Sequence, residues 1–170
     1  IYAIDFNGII HPEANKELNN PNKQQLYQNL WNKIKGYNDI YKPDKVLICI
    51  DGVAPLAKII QQRKRRYLTI YKNKIDKLEV KWDTNAISTG TEFMGNLDKF
   101  IEDKIKEENK TSFIFNGSSN AGEGEHKIFN YFKCISNYGC AKSKKDVATT
   151  NVITYICTII QTKINQTTIK

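Results

Sequence analysis

Apolar residues come in short unbroken runs at three places in the chain, and each run stops at an acidic or amide residue followed closely by glycine. The first, Ile1-Tyr2-Ala3-Ile4, ends on Asp5, with Asn7-Gly8 read as a turn. The second, Val46-Leu47-Ile48-Cys49-Ile50, ends on Asp51-Gly52, and the third, Ser112-Phe113-Ile114-Phe115, ends on Asn116-Gly117. Runs of four to five residues bounded by turn signals predict buried strands. Between them the spacing changes. Leu26, Leu30 and Ile34 recur every fourth residue with Tyr27 and Trp31 alongside, which predicts a helix opening near Pro21. Phe93, Leu97, Ile101 and Ile105 predict a second helix, its start marked by Thr89 and Glu92 at the spacing of a capping box. A last helix carries Ile128, Phe129 and Phe132. Continuous apolar strands alternating with amphipathic helices predict an α/β fold, a mainly parallel sheet with helices on both faces.

From about Ala141 this order fades. The tail is rich in Thr, Asn, Lys and Ile, and its only acidic residue is Asp146. Beyond an apolar run at 152–160 it shows no clean period, so 1–133 is read as the folded domain and 134–170 as a divergent, poorly ordered tail.

With 170 residues the chain is long enough for one core, and no apolar run approaches the roughly 20 residues of a membrane span. No targeting peptide is legible at Ile1, and an amino-terminal segment is expected to be missing. The four cysteines form no CxxC pair and no zinc spacing with the two histidines. They are read as reduced thiols of an intracellular protein.

Charge alters the picture more than composition does. The net charge is +8, and residues 58–81 alone hold nine basic side chains against two acidic ones. Charge concentrated in this way is the footprint of a polyanionic partner. Within that segment Pro55 suits a first helical position, and Lys58, Gln62, Arg65 and Arg66 follow at i, i+4, i+7 and i+8. Two guanidinium forks, an ammonium and an amide on one helical face, next to the strand end that carries Asp51, make a phosphate pocket.

The carboxyl ends of parallel strands face the functional crevice, so Asp5 and Asp51 are expected to converge. A turn-forming or capping role is the competing reading for either alone. Glu123 and Glu125 follow the third strand within Gly122-Glu123-Gly124-Glu125-His126. On an ideal helix they would point to nearly opposite sides, and the flanking glycines leave other backbone angles open. Crowded carboxylates need cations, and hard oxygen donors select Mg²⁺ or Mn²⁺. Metal-assisted phosphodiester hydrolysis is the chemistry that suits an acidic pocket beside a basic helix.

Four segments carry a family resemblance: Ile4-Asp5-Phe6-Asn7-Gly8-Ile9-Ile10-His11, then Ile50-Asp51-Gly52-Val53-Ala54-Pro55 with Lys58 and Gln62, then Gly90-Thr91-Glu92-Phe93-Met94, and Gly122-Glu123-Gly124-Glu125-His126-Lys127-Ile128. In this order the chain resembles the XRN 5′→3′ exoribonucleases. The resemblance implies a PIN/flap-nuclease-like catalytic domain, incomplete here, that hydrolyses single-stranded RNA bearing a 5′-monophosphate in the nucleus or cytoplasm. It implies that Asp5, Asp51, Glu123 and Glu125 are metal-site acids, that Lys58, Gln62, Arg65 and Arg66 select the 5′-phosphate, and that His11 stacks on the terminal base. His126 is left structural. Protein partners are unspecified.

The departures are as informative. Thr89 and Ala121 stand where the family usually has proline, and nothing in 134–170 matches the family's Gly-Leu-Asp-Ala-Asp strand, which supplies further acids. A chain with part of the acidic site is expected to cut poorly. Two other readings stand beside the exoribonuclease: a catalytically degenerate module that binds RNA 5′-phosphates, and a haloacid-dehalogenase-type phosphatase built on Asp5-Phe6-Asn7-Gly8, in which Asn7 replaces the required second aspartate.

Overall fold

A computed structural model of the chain describes residues 1–16, 22–76, 82–108 and 112–139. Pro21, Lys77, Glu79, Lys81, Cys140, Asp146, Cys157 and the apolar run 152–160 lie outside the described residues. The chain divides into two compact units, Ile1–Ile128 and Phe129–Lys170. In the second unit only the end of one helix is described, with Tyr131 and Phe132 meeting edge to face at 5.9 Å.

The first unit is built on three parallel strands in the order β1-β2-β3: β1 is Tyr2–Asp5, β2 Lys45–Cys49 and β3 Ser112–Asn116. All three expected strands form. The register pairs Ile4 with Ile48 and Ile48 with Phe115, which brings the carboxyl ends of the strands level. Helices α1 (Asn7–Lys16), α2 (Lys23–Tyr41), α3 (Leu56–Ile75), α4 (Glu92–Glu107) and α5 (Gly124–Gly139) fill the connections, with a short 3₁₀ turn at Thr84–Ala86.

Alternation along the strands sorts their side chains. Ile4, Val46, Ile48 and Ile50 join a core with Ile10 and Ala14 of α1, Leu26, Leu30, Trp31 and Ile34 of α2, and Phe93, Leu97 and Ile101 of α4. Leu47 and Cys49, on the other face of the same strand, are just as buried, so β2 is covered on both sides. Each fully buried aliphatic side chain contributes roughly 1.5–3 kcal/mol. Asn22 caps α2 by accepting from the Gln25 N–H at 3.1 Å, and the helix ends at Lys42, which takes left-handed angles with φ 42°. Glu13 of α1 is buried, and its Oε1 accepts from Lys16 at 2.7 Å and pairs with Lys33 of α2 at 2.9 Å. The Lys33 contact ties α1 to α2, while the Lys16 contact lies within α1.

Two local expectations are corrected. Asn7-Gly8 is no turn between elements but the first turn of α1, because the Phe6 carbonyl accepts from the N–H groups of both Ile9 and Ile10, and Ile10 and Ala14 bury against the core. The capping-box pairing of Thr89 with Glu92 is also displaced. The cap of α4 is Thr91, whose Oγ1 accepts from the Met94 N–H, while the Thr89 hydroxyl lies 3.3 Å from the Asp51 carbonyl. Gly90, at φ 84°, puts a turn between the two threonines, so sequence spacing chose the wrong one.

Candidate active site

Asp5 closes β1, and Asp51 stands two residues beyond the end of β2, the neighbouring strand. Gly124, the first residue of α5, lies between their carboxylates. Its N–H donates to Asp51 Oδ1 at 2.6 Å, and a Cβ placed on it would stand 2.9 Å from Asp5 Oδ1 and 3.3 Å from Asp51 Oδ1. The expected convergence of Asp5 and Asp51 is thus present, and it takes a residue without a side chain to permit it. The loops that bear these groups are tied together. Gly52 N–H donates to the Gly122 carbonyl at 2.8 Å and Gly122 N–H returns to the Val53 carbonyl at 2.9 Å. Gly122 holds φ 101°, and a side chain at Gly52 would collide with the Asn120 carbonyl.

Electrostatics follow from this crowding. Burial pushes the Asp51 carboxyl above its usual range, and the negative charges of Asp5 and Glu123 add to the effect against the opposing Gly124 hydrogen bond. Glu123, just before α5, turns its Oε2 toward Lys58 Nζ at 3.3 Å. Glu125 does not join them: it is exposed in the first turn of α5, and no described contact links it to Asp5 or Asp51. Among the described residues no three His, Cys, Asp or Glu side chains form a group set for a metal ion.

The basic face looks into the same space. A cavity of about 930 Å³ is lined by Asp51, Glu123, His11, Gln62, Arg65 and Arg66, and continues along Asn73 of α3 to Trp82, Asn85 and Thr89. On α3, Lys58, Gln62, Arg66 and Asn73 are half-buried at the spacing of one helical face, whereas no residue of the helix is fully buried. Lys58 enters through its pair with Glu123. His11 keeps an exposed edge at the cavity, yet its pKa is lowered by loss of solvent and by Arg65, against the pull of Asp51 and Asp5.

Two residues take roles that the sequence does not indicate. Asn7 accepts from the Asp51 N–H through its Oδ1 at 3.0 Å and fixes the loop after β2. Lys127 is buried, and its Nζ donates to the carbonyls of Ile50 and Gly117. Helical spacing contains a signal for the second, since Gly124, Lys127 and Ile128 fall at i, i+3 and i+4 and Ile128 is apolar. Nothing in the sequence distinguishes Asn7 from a turn former.

Known proteins share this arrangement of sequence. The family model described as the N-terminus of XRN 5′-3′ exonucleases matches residues 1–156. The chain is 36% identical over 167 residues to 5′-3′ exoribonuclease 1 of Saccharomyces cerevisiae, covering 84% of this chain and 10% of the yeast protein. It is 32% identical over 158 residues to 5′-3′ exoribonuclease 1 of Homo sapiens, covering 76% and 9%, and 33% identical over 162 residues to 5′-3′ exoribonuclease 2 of Gallus gallus, covering 76% and 17%. The chain therefore spans between about a tenth and a sixth of the length of these curated relatives. With a match over most of its length, and with the motifs at the strand ends and on the basic helix gathered at one edge of the sheet, the chain belongs to the XRN 5′-3′ exonuclease N-terminal family.

Proposed function

We propose that this chain carries part of the active site of a 5′→3′ exoribonuclease acting on single-stranded RNA with a 5′-monophosphate. The observation that supports it most is the shared cavity, with Asp51 and Glu123 at one end and Gln62, Arg65 and Arg66 along its wall. A phosphate held by the guanidinium forks lies within one cavity of the carboxylates, and that is the arrangement needed to present the terminal phosphodiester bond to an acidic centre. His11, at the same cavity, offers a ring face to the first base. In this reading residues 1–133 hold the nuclease portion and 134–170 diverge from it, in an intracellular protein of the nucleus or cytoplasm. Among the described residues no helix is long and apolar enough to cross a membrane.

Mg²⁺ or Mn²⁺ fits the donor chemistry at Asp5 and Asp51, whose oxygens flank Gly124. Asp5 and Asp51 would hold it, with Glu123 joining once released from Lys58 and Glu125 only after its side chain turns inward. A hard divalent cation there would supply charge neutralisation and Lewis-acid stabilisation of the phosphate oxygens. The chain's own residues orient the substrate: Lys58, Arg65 and Arg66 hold the anionic end, and Asp51 and Glu123 present half-buried carboxylates at the other end of the cavity.

The degenerate-module reading has its own support, because Glu125 stands apart and Glu123 is paired with Lys58. The phosphatase reading has none, since Asn7 is occupied in holding the Asp51 backbone. Purified chain incubated with Mg²⁺ or Mn²⁺ and labelled 5′-monophosphorylated RNA decides between the first two. Slow release of mononucleotides that disappears in Asp51→Ala supports the nuclease. Binding without any release supports the module.

A further inference from the structure

One buried charge lies behind the acidic edge rather than in it. Lys127 is 6% exposed, and its Nζ donates to the Ile50 carbonyl at 2.7 Å and to the Gly117 carbonyl at 2.8 Å. Ile50 is the residue before Asp51, and Gly117 is the residue after β3. One ammonium therefore bridges the outgoing ends of two neighbouring strands. Taking an ammonium out of water is expensive, and an apolar side chain would fill the same space without that penalty. What a lysine adds is a directed pair of charge-assisted hydrogen bonds and a fixed positive charge.

The surroundings use both. Gly124, one turn earlier on α5, grips the Asp51 side chain through its N–H at 2.6 Å, while Lys127 grips the carbonyl just before Asp51. The same helical turn thus holds Asp51 from its side chain and from its backbone. On the far side, Asp98 of α4 accepts from the N–H and the Oγ of Ser118, both at 2.8 Å, and so secures the residue after Gly117. Elements α4, α5 and the ends of β2 and β3 are tied around a single cation.

We infer that Lys127 is a positioning residue for the acidic edge: its ammonium fixes the Ile50–Asp51 backbone against α5 and provides an internal counter-charge behind Asp51, which stands across Gly124 from Asp5. Its importance to cleavage rests on the nuclease reading proposed above. Its effect on the Asp51–Gly124 contact does not.

The test compares wild-type chain with Lys127→Met, Lys127→Arg and Ser118→Ala. The primary readout is the Gly124 amide by NMR, its proton shift and hydrogen exchange, because that proton reports the bond to Asp51 directly. In Lys127→Met the Gly124 amide should shift upfield and exchange at least about tenfold faster. Lys127→Arg keeps the charge and should recover part of the shift. Ser118→Ala, which loosens the Asp98 anchor without touching the ammonium, should lower the melting temperature and leave Gly124 unchanged. An unmoved Gly124 amide in both lysine variants overturns the inference, as does an equal change in Ser118→Ala. If Lys127→Met does not fold, the arginine variant decides alone: a Gly124 amide lost or shifted as far as in Asp51→Ala overturns the counter-charge role. Where the wild-type chain cleaves RNA, Lys127→Met should also lower kcat by more than about tenfold with KM within about threefold, since the α3 face is untouched. A wild-type chain that never cleaves sinks the nuclease reading and leaves the NMR result standing on its own.

Discussion

Lys58 Nζ lies 3.3 Å from Glu123 Oε2, joining the basic helix to the acidic edge across 65 residues of sequence. The two halves of the proposed site therefore hold each other when neither holds a ligand. Neutralising Glu123 should release Lys58 toward the substrate phosphate and remove one acid. Glu123→Gln is expected to bind 5′-monophosphorylated RNA as tightly as wild type or up to about threefold more tightly, while cleavage falls by more than about tenfold. Filter binding and single-turnover cleavage on the same preparations check both halves. Weaker binding would mean that the pair organises Lys58 rather than occupying it.

The basic face should read the phosphate and not only the chain's general charge. A charge-assisted hydrogen bond contributes roughly 1.5–3 kcal/mol, so RNA with a 5′-hydroxyl should bind about tenfold or more weakly than RNA with a 5′-monophosphate. Arg65→Ala with Arg66→Ala should erase most of that preference and flatten the dependence on salt. Titrations of both RNAs at fixed and at varied ionic strength measure this, and equal affinity for the two ends would reduce α3 to a nonspecific basic surface.

Two glycines offer a matched pair. Gly124→Ala puts a methyl group 2.9 Å from Asp5 Oδ1 and 3.2 Å from the Cys49 carbonyl, so it should cost about 1–3 kcal/mol and abolish cleavage. Gly95 lies within α4 with nothing near its missing Cβ, so Gly95→Ala should stabilise by about 0.5–1 kcal/mol and leave cleavage intact. Urea denaturation of the two variants compares the signs.

Glu13 gives stability a pH dependence. Burial alone would push its carboxyl up, but hydrogen bonds from Lys16 and Lys33 outweigh it and hold the pKa below the usual 4.5. A carboxylate depressed in the folded state contributes stability that is fully present above its ordinary pKa and lost as pH falls through the folded value. Glu13→Gln should therefore melt earlier than wild type at pH 7, by about 1 kcal/mol given the exposed lysines. The gap should close toward pH 3. Thermal melts at the two pH values test it, and a gap that stays the same in acid would show that Glu13 acts through packing alone.

How far the sequence reached depended on whether a residue's role follows from its own period. The strands were legible because burial on both faces leaves an unbroken apolar run, as from Val46 to Ile50, and the amphipathic helices because burial of one face imposes a spacing of about four, as in Leu26, Leu30 and Ile34. The lining of the cavity by Gln62, Arg65 and Arg66 followed from the same geometry. Contacts made across the fold leave no such trace. Thr91 rather than Thr89 caps α4 because of a turn at Gly90, and Asn7 holds Asp51 from 44 residues away. Glu123 and Glu125 were separated by the loop-to-helix transition, which the glycines around them permitted but did not specify.

The long reach of these contacts also sets when the site can appear. Asn7 meets Asp51 over 44 residues, Gly124 meets Asp51 over 73, and Lys127 meets Ile50 over 77. Closing loops of that length is slow, and pairings so distant in sequence form late. On a ribosome adding roughly 5–20 residues per second, Asp5 and Asp51 wait many seconds for the start of α5 to arrive. Through that interval the two strand ends are joined only by their own pairing and by Asn7, and the carboxylates lack both the N–H of Gly124 and the ammonium of Lys127.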